Sequence, residues 1–104
     1  MHSSTWKEGE RRIARIFNTN RTPLSGGNSR HTRSDTLHKE LFIEVKHRKV
    51  VPGEGTMKII EQLAKEENKI PLCVFIKKGS SEPLLLCKLK DIKKIASYIT
   101  DNIK

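Results

Sequence analysis

The chain has 104 residues, enough for one hydrophobic core and too few for two, so a single domain over residues 1–104 is expected. Apolar residues make up 35% and charged residues 32% of it, and 21 Lys and Arg against 12 Asp and Glu leave a formal charge of +9. That balance points to a polyanionic partner, nucleic acid first, with a basic but otherwise ordinary surface as the alternative.

No apolar run approaches the ~20 residues that a membrane-spanning helix needs. The segment up to Lys7 also lacks the apolar centre of a signal peptide. Cys73 and Cys87 both sit in apolar runs and read as reduced core residues, so no disulfide framework or CxxC metal site is expected. These features together predict a cytoplasmic protein with no membrane partner. All seven arginines (Arg11, Arg12, Arg15, Arg21, Arg30, Arg33 and Arg48) precede position 50. The guanidinium fork suits phosphate oxygens better than an ammonium does, so the phosphate-facing surface is expected in the first half.

The first element is a helix over 5–17. Thr5 and Glu8 have the spacing of a capping box, Trp6, Ile13, Ile16 and Phe17 form its apolar stripe, and Asn18 to Asn20 end it. Glu10 falls ~40° from Trp6 on a helical wheel, on the packing side, whereas Glu8 points to solvent. A carboxylate on the packing side needs a partner: a metal ion, Lys46 or a neighbouring arginine. Residues 21–29, with Pro23, Gly26 and Gly27, read as an irregular loop. A strand is expected over 33–37, a turn at His38-Lys39, and a second strand over 41–47 with Leu41, Ile43 and Val45 facing the core.

Pro52, Gly53 and Gly55 interrupt the chain. Thr56 is expected to cap a helix reaching Asn68, with Met57, Ile60, Leu63 and Ala64 inward. The run from Leu72 to Lys77 is apolar enough for a strand buried on both faces, and a further strand is expected over 84–89. Ile92, Ile95, Ala96, Ile99 and Ile103 share one face of a closing helix. The expectation is an α/β (α+β) domain of αβββαβ order with a C-terminal helix, its mixed central sheet flanked by helices.

The chemistry centres on Glu44-Val45-Lys46. Period-two alternation places Glu44 and Lys46 on one face of their strand, opposite Ile43 and Val45. A hairpin turning at His38-Lys39 would pair Asp35 with Phe42 and bring its carboxylate to that same face. Asp35, Glu44 and the Val45 carbonyl can then hold a Mg²⁺ that keeps several waters, with Lys46 beside the attacking water. A polar sheet face with a plain Glu–Lys ion pair is the alternative. His47, Arg48 and Lys49 continue the strand and can grip a phosphate backbone, and Arg30, His31 and Arg33 flank Asp35. The four histidines have no ligand spacing with either cysteine. Gly26-Gly27 is not followed by G-K-[ST], and no GxSxG or Cys/His pair is present, so neither a small-molecule cofactor nor covalent catalysis is expected.

Gly9-Glu10-Arg11-Arg12 on a first helix, Pro23-Leu24-Ser25-Gly26-Gly27, Asp35, and the strand Phe42-Ile43-Glu44-Val45-Lys46-His47 follow one another in an order that resembles the PD-(D/E)XK nuclease superfamily. Within it they resemble the archaeal Holliday-junction resolvases and related phage nucleases. The motifs span residues 6–50, and Ser34 stands where the family's Pro-Asp pair has proline. The resemblance implies a restriction-endonuclease-like fold and Mg²⁺-dependent cleavage of branched or structured DNA, with Mn²⁺ able to substitute. It also implies a homodimer. Glu10, Asp35 and Glu44 would surround the metal, Lys46 would be the catalytic lysine, and Arg11, Arg15 and Ser25 would lie near DNA. A non-catalytic nucleic-acid-binding module and an accessory subunit of a larger assembly remain the other function classes, because one fold serves many functions.

Overall fold

The computed structural model describes residues 3–23, 32–51, 53–77 and 82–101, with side chains from residue 6 onward in the first helix. Helix α1 spans Ser3–Ile16, strand β1 Leu41–Arg48, helix α2 Glu54–Glu66, strand β2 Ile70–Lys77 and strand β3 Leu84–Leu86. A 3₁₀ turn, Leu89–Asp91, leads into helix α3, Ile92–Ser97. The result is an α+β domain whose three-stranded mixed sheet has the order β1-β2-β3, β1 and β2 parallel and β2 and β3 antiparallel. The parallel pair is joined by α2, the crossover that such a pair needs.

Both faces of β1 and β2 are covered. On one face Leu41, Ile43, Val45, Leu72 and Val74 meet Ile13, Ile16 and Phe17 of α1 and Ile95 of α3. On the other, Phe42 and Cys73 lie under Ile60 and Ala64 of α2. Leu72, Cys73, Val74 and Phe75 are all buried, as expected of a strand packed on two sides. Cys73 and Cys87 are free thiols.

Both long helices stop the same way. Asn18 and Asn68 adopt φ of 55°. Thr19 N–H reaches the Ala14 carbonyl at 2.8 Å, and Lys69 N–H the Ala64 carbonyl at 2.9 Å, each closing a Schellman turn. Asparagine tolerates the left-handed region, so each terminus forms without glycine.

Four expectations are corrected. The order is αβαββα rather than αβββαβ with a terminal helix: residues 33–37 form no regular strand, and among the described residues one strand, not three, precedes α2 and two, not one, follow it. β3 stops at Leu86, where the chain turns into the 3₁₀ segment, and Leu89 is left 86% exposed. Helix α2 starts two residues before Thr56, with Gly53 at its N-cap, and α3 ends at Ser97, short of Ile99. Ile103 lies outside the described residues.

The absence of a strand at 33–37 has a physical cause. Thr32, Ser34, Thr36 and His38 are all buried, and the side chain of each accepts a backbone N–H from two residues ahead: Ser34 at 3.0 Å, Thr36 at 3.3 Å, His38 at 3.3 Å and Glu40 at 3.0 Å. The intervening amides go elsewhere. Arg33 N–H donates to Glu67, Asp35 N–H to the Ile43 carbonyl and Leu37 N–H to the Asn20 carbonyl. Every amide from 33 to 38 is therefore satisfied without a ladder. The segment lies along the edge of β1 opposite β2 as a strap wired by its own side chains, and it is flanked in turn by residues 20–22 through a bridge between Arg21 and Thr36.

Candidate active site at the edge of β1

The strap brings Asp35 to β1, one residue away from the expected register. Asp35 N–H donates to the Ile43 carbonyl at 2.9 Å. Its carboxylate then reaches past Ile43, and Oδ2 accepts the Val45 N–H at 2.7 Å. The acid thus lies in the plane of the sheet at the strand edge, beside the Glu44–Val45 peptide. In an extended strand the N–H and C=O of one residue point to the same side, so the Val45 carbonyl faces the edge that Asp35 occupies.

Alternation along β1 puts Glu44 and Lys46 on the α2 side of the sheet with Phe42, as expected. Lys46 Nζ lies 3.0 Å from Glu44 Oε2, and both side chains are about a quarter exposed, at 26% and 21%. Burial pushes the Asp35 carboxyl up to about 7, and the nearby Glu44 carboxylate adds to the rise. The Val45 amide opposes it, Glu10 contributes a further upward push and Lys46 a downward one. Asp35 therefore responds to Glu44, Glu10 and Lys46 together, and the balance of charge around it is short of positive charge.

Glu10 was expected among the ligands, and its carboxylate is already engaged. Oε1 accepts from Arg21 Nε at 2.7 Å, with both side chains largely buried, and the Arg21 guanidinium stacks 5.3 Å from the centre of the Trp6 ring. The partner that the packing-side position demanded is thus an arginine. Among the described residues no three His, Cys, Asp or Glu side chains converge to hold a metal ion. Two carboxylates and a carbonyl remain: Asp35, Glu44 and Val45. That donor set fits Mg²⁺, which commonly takes one or two protein carboxylates and keeps most of its waters.

The expected DNA-facing residues are scattered. Arg48 and Lys49 are exposed at the end of β1, and alternation places Arg48 on the Glu44 and Lys46 face. His47 points to the other side of the sheet, where its ring lies against α1: a Cβ on Gly9 would stand 2.6 Å from it. Glycine at position 9 is what allows that approach. Arg11 is exposed and pairs with Glu8 at 2.6 Å, one turn away on the same helix. Arg15 and Arg33 are exposed, and the Arg33 backbone is tied to Glu67. Ser25, Arg30 and His31 lie outside the described residues.

Three residues matter here that the motifs do not pick out. Arg21 neutralises Glu10. Glu67 accepts from the Thr32 hydroxyl and, at 3.0 Å, from Arg33 N–H, so it fixes the start of the strap. Ser34 ties the strap to β1. The only sequence signal for any of them is the period-two recurrence of Thr32, Ser34, Thr36 and His38. Cys73, the register partner of Glu44, is no candidate nucleophile, because burial pushes its thiol up to about 11.

Comparison with known proteins finds no matching family model, no matching curated protein and no matching solved structure. Among the described residues no helix is long and apolar enough to cross a membrane.

Proposed function

We propose that the chain is a metal-dependent endonuclease that hydrolyses phosphodiester bonds in DNA, with a restriction-endonuclease-like domain of the PD-(D/E)XK type. One observation carries this: Asp35, held on the Val45 N–H, and Glu44, from a separate segment, lie near enough for the Glu44 carboxylate to add to the burial that raises Asp35 to about 7. Two partly buried acids held together beside a single ammonium favour a divalent cation. Asp35, Glu44 and the Val45 carbonyl would hold it.

A bound Mg²⁺ would supply positive charge to offset that developing on a phosphodiester under attack. Lys46, whose Nζ lies 3.0 Å from Glu44 Oε2, would orient the attacking water or help deprotonate it. Arg48 and Lys49, further along the strand, would hold the flanking phosphates. The formal charge of +9 supports a nucleic-acid substrate. Branched or structured DNA is the substrate class that the motif order suggests. For a homodimer, which the same motif order suggests, β3 is the outer strand of the sheet among the described residues, and its Leu84 and Leu85 are 50% and 41% exposed.

The test is a panel of junction, flap and duplex DNAs incubated with the protein in Mg²⁺, Mn²⁺ and EDTA. Cleavage is expected only with metal, and Glu44→Ala or Lys46→Ala should lower its rate by on the order of 10²–10⁴ while DNA binding persists. Binding without cleavage in every condition would replace the enzyme with a binding module, a role for which the Glu44–Lys46 ion pair is sufficient. No binding even at low salt, where phosphate contacts are strongest, would favour an accessory subunit.

A further inference from the structure

We infer that Ser34 is a positioning residue for Asp35: its side chain stands in for a strand, completes the edge of β1 and holds the acid at the height where it can meet a cation. This rests on the metal-site reading above.

Ser34 is fully buried, and its Oγ makes three bonds at once. It donates to the Ile43 carbonyl at 3.0 Å, accepts the Ile43 N–H at 2.9 Å and accepts the Thr36 N–H at 3.3 Å. A serine hydroxyl has one donor and two acceptor sites, and all three are filled. In a regular antiparallel pair the N–H and C=O of Ile43 would bond to the backbone of a partner residue. Here one hydroxyl serves both, and the adjoining Asp35 N–H adds a second bond to the same carbonyl.

The substitution has a consequence at the next rung. A continuous partner strand would offer a backbone carbonyl to the Val45 N–H. Because a side chain has replaced the backbone at Ile43, the Val45 N–H is left for Asp35 Oδ2. Ser34 also has its own place fixed from behind: Thr22 Oγ1 donates to its carbonyl at 2.8 Å, and Thr32 Oγ1 accepts its N–H at 3.0 Å. The position of Asp35 is therefore set on both sides, through Ser34 to β1 and through Thr22 to the neighbouring segment. A proline at position 34, having no hydroxyl, would leave the Ile43 N–H without its acceptor.

The experiment compares Ser34→Ala, Ser34→Cys and, as a control of similar burial, Thr36→Val, which removes a strap hydroxyl bonded to the His38 N–H rather than to β1. Two quantities are read on each folded variant: amide hydrogen exchange at Ile43 and Val45 without metal, and the Mg²⁺ dissociation constant by calorimetry. Ser34→Ala should speed exchange at both amides and weaken Mg²⁺ binding roughly tenfold, the order of one net hydrogen bond. Ser34→Cys, close in shape and a weaker donor, should fall between. Thr36→Val should lose stability with a much smaller change in Mg²⁺ affinity.

Wild-type exchange at Val45 and wild-type Mg²⁺ affinity in Ser34→Ala would overturn the inference. So would an equal loss of affinity in Thr36→Val, since that would make the effect one of general stability. If Ser34→Ala does not fold, the graded response of Ser34→Cys decides. If the unaltered protein binds no Mg²⁺, the metal-site reading fails, while the exchange data still report whether Ser34 holds Asp35 on Val45.

Discussion

Replacing Asp35 with asparagine removes one charge from the edge of β1 and keeps an oxygen able to accept the Val45 N–H. In the native protein the carboxyl is pushed from 3.8 up to about 7, first by burial and then by Glu44. A rise of that size corresponds to roughly 4 kcal/mol between the two protonation states. The sign follows from linkage. An acid whose folded value is raised lends stability that is fully present below its unfolded value, near 4, and is lost as pH rises through about 7. Between pH 5 and pH 8 the metal-free protein should therefore lose about 2–3 kcal/mol through this one group, on the order of 10 °C in Tm. Asp35→Asn should lack that slope and be the more stable protein at pH 8 without metal. Mg²⁺ at 100 times its dissociation constant should return ~2.7 kcal/mol to the native protein and nothing to the variant. The assay is urea denaturation of both proteins at pH 5 and pH 8, with EDTA or Mg²⁺. Other titrating groups cancel in the difference between the two proteins. Parallel pH dependence in native and variant would refute the claim that burial and the neighbouring Glu44 disfavour the charged Asp35 carboxylate, and Mg²⁺ stabilisation of Asp35→Asn would remove Asp35 from the ion site.

Arg21→Ala should cost about 3–5 kcal/mol in urea denaturation, because Glu10 would remain buried without its partner, and a loss under 1 kcal/mol would show that Glu10 is readily hydrated. Arg48→Ala should reduce the slope of log K against log salt for DNA binding by about 1, and an unchanged slope would remove Arg48 from the phosphate contacts. His38 Nδ1 accepts both the Glu40 and Leu41 amides at 3.0 Å, and burial lowers its pKa, so its neutral form lends stability that is present above about 6.5 and lost as pH falls through the lower folded value. Titration of its ring by NMR should give a midpoint below 6.5, and a midpoint above it would contradict the two accepted bonds.

The strand Leu41–Arg48 was legible because its core face is apolar at every second position, which separates Glu44 and Lys46 from Ile43 and Val45 without knowledge of any neighbour. Helix ends were legible where Asn18 and Asn68 follow the last apolar turn. The partner of Glu10 was legible only as a need: Arg21 lies eleven positions away across an irregular segment, a distance that no periodicity spans. The strap misled for a related reason. Thr32, Ser34, Thr36 and His38 alternate as the polar face of a strand does, yet these are the buried side chains, and their hydrogen bonds replace the ladder that the alternation suggested. Asp35 consequently meets Ile43 and Val45 rather than Phe42, and a shift of one residue is enough to move a side chain off the expected face.

That shift bears on the chemistry. A regular partner strand would satisfy the Ile43 and Val45 amides with carbonyls and send the Asp35 carboxylate to one face of the sheet, away from the Val45 carbonyl. Wiring the segment through side chains leaves the edge of β1 open to an acid in the sheet plane, where the Asp35 carboxylate lies on the side to which the Val45 carbonyl points. The same placement buries Asp35 next to Glu44, so the metal-free fold should weaken as pH rises. Under the proposed ion site, affinity for a divalent ion and sensitivity to alkali would have one origin, so every substitution that releases Asp35 from the edge should reduce both together. A variant at Ser34 or Asp35 that lost one and kept the other would separate them, and with them the link between the strap and the ion site.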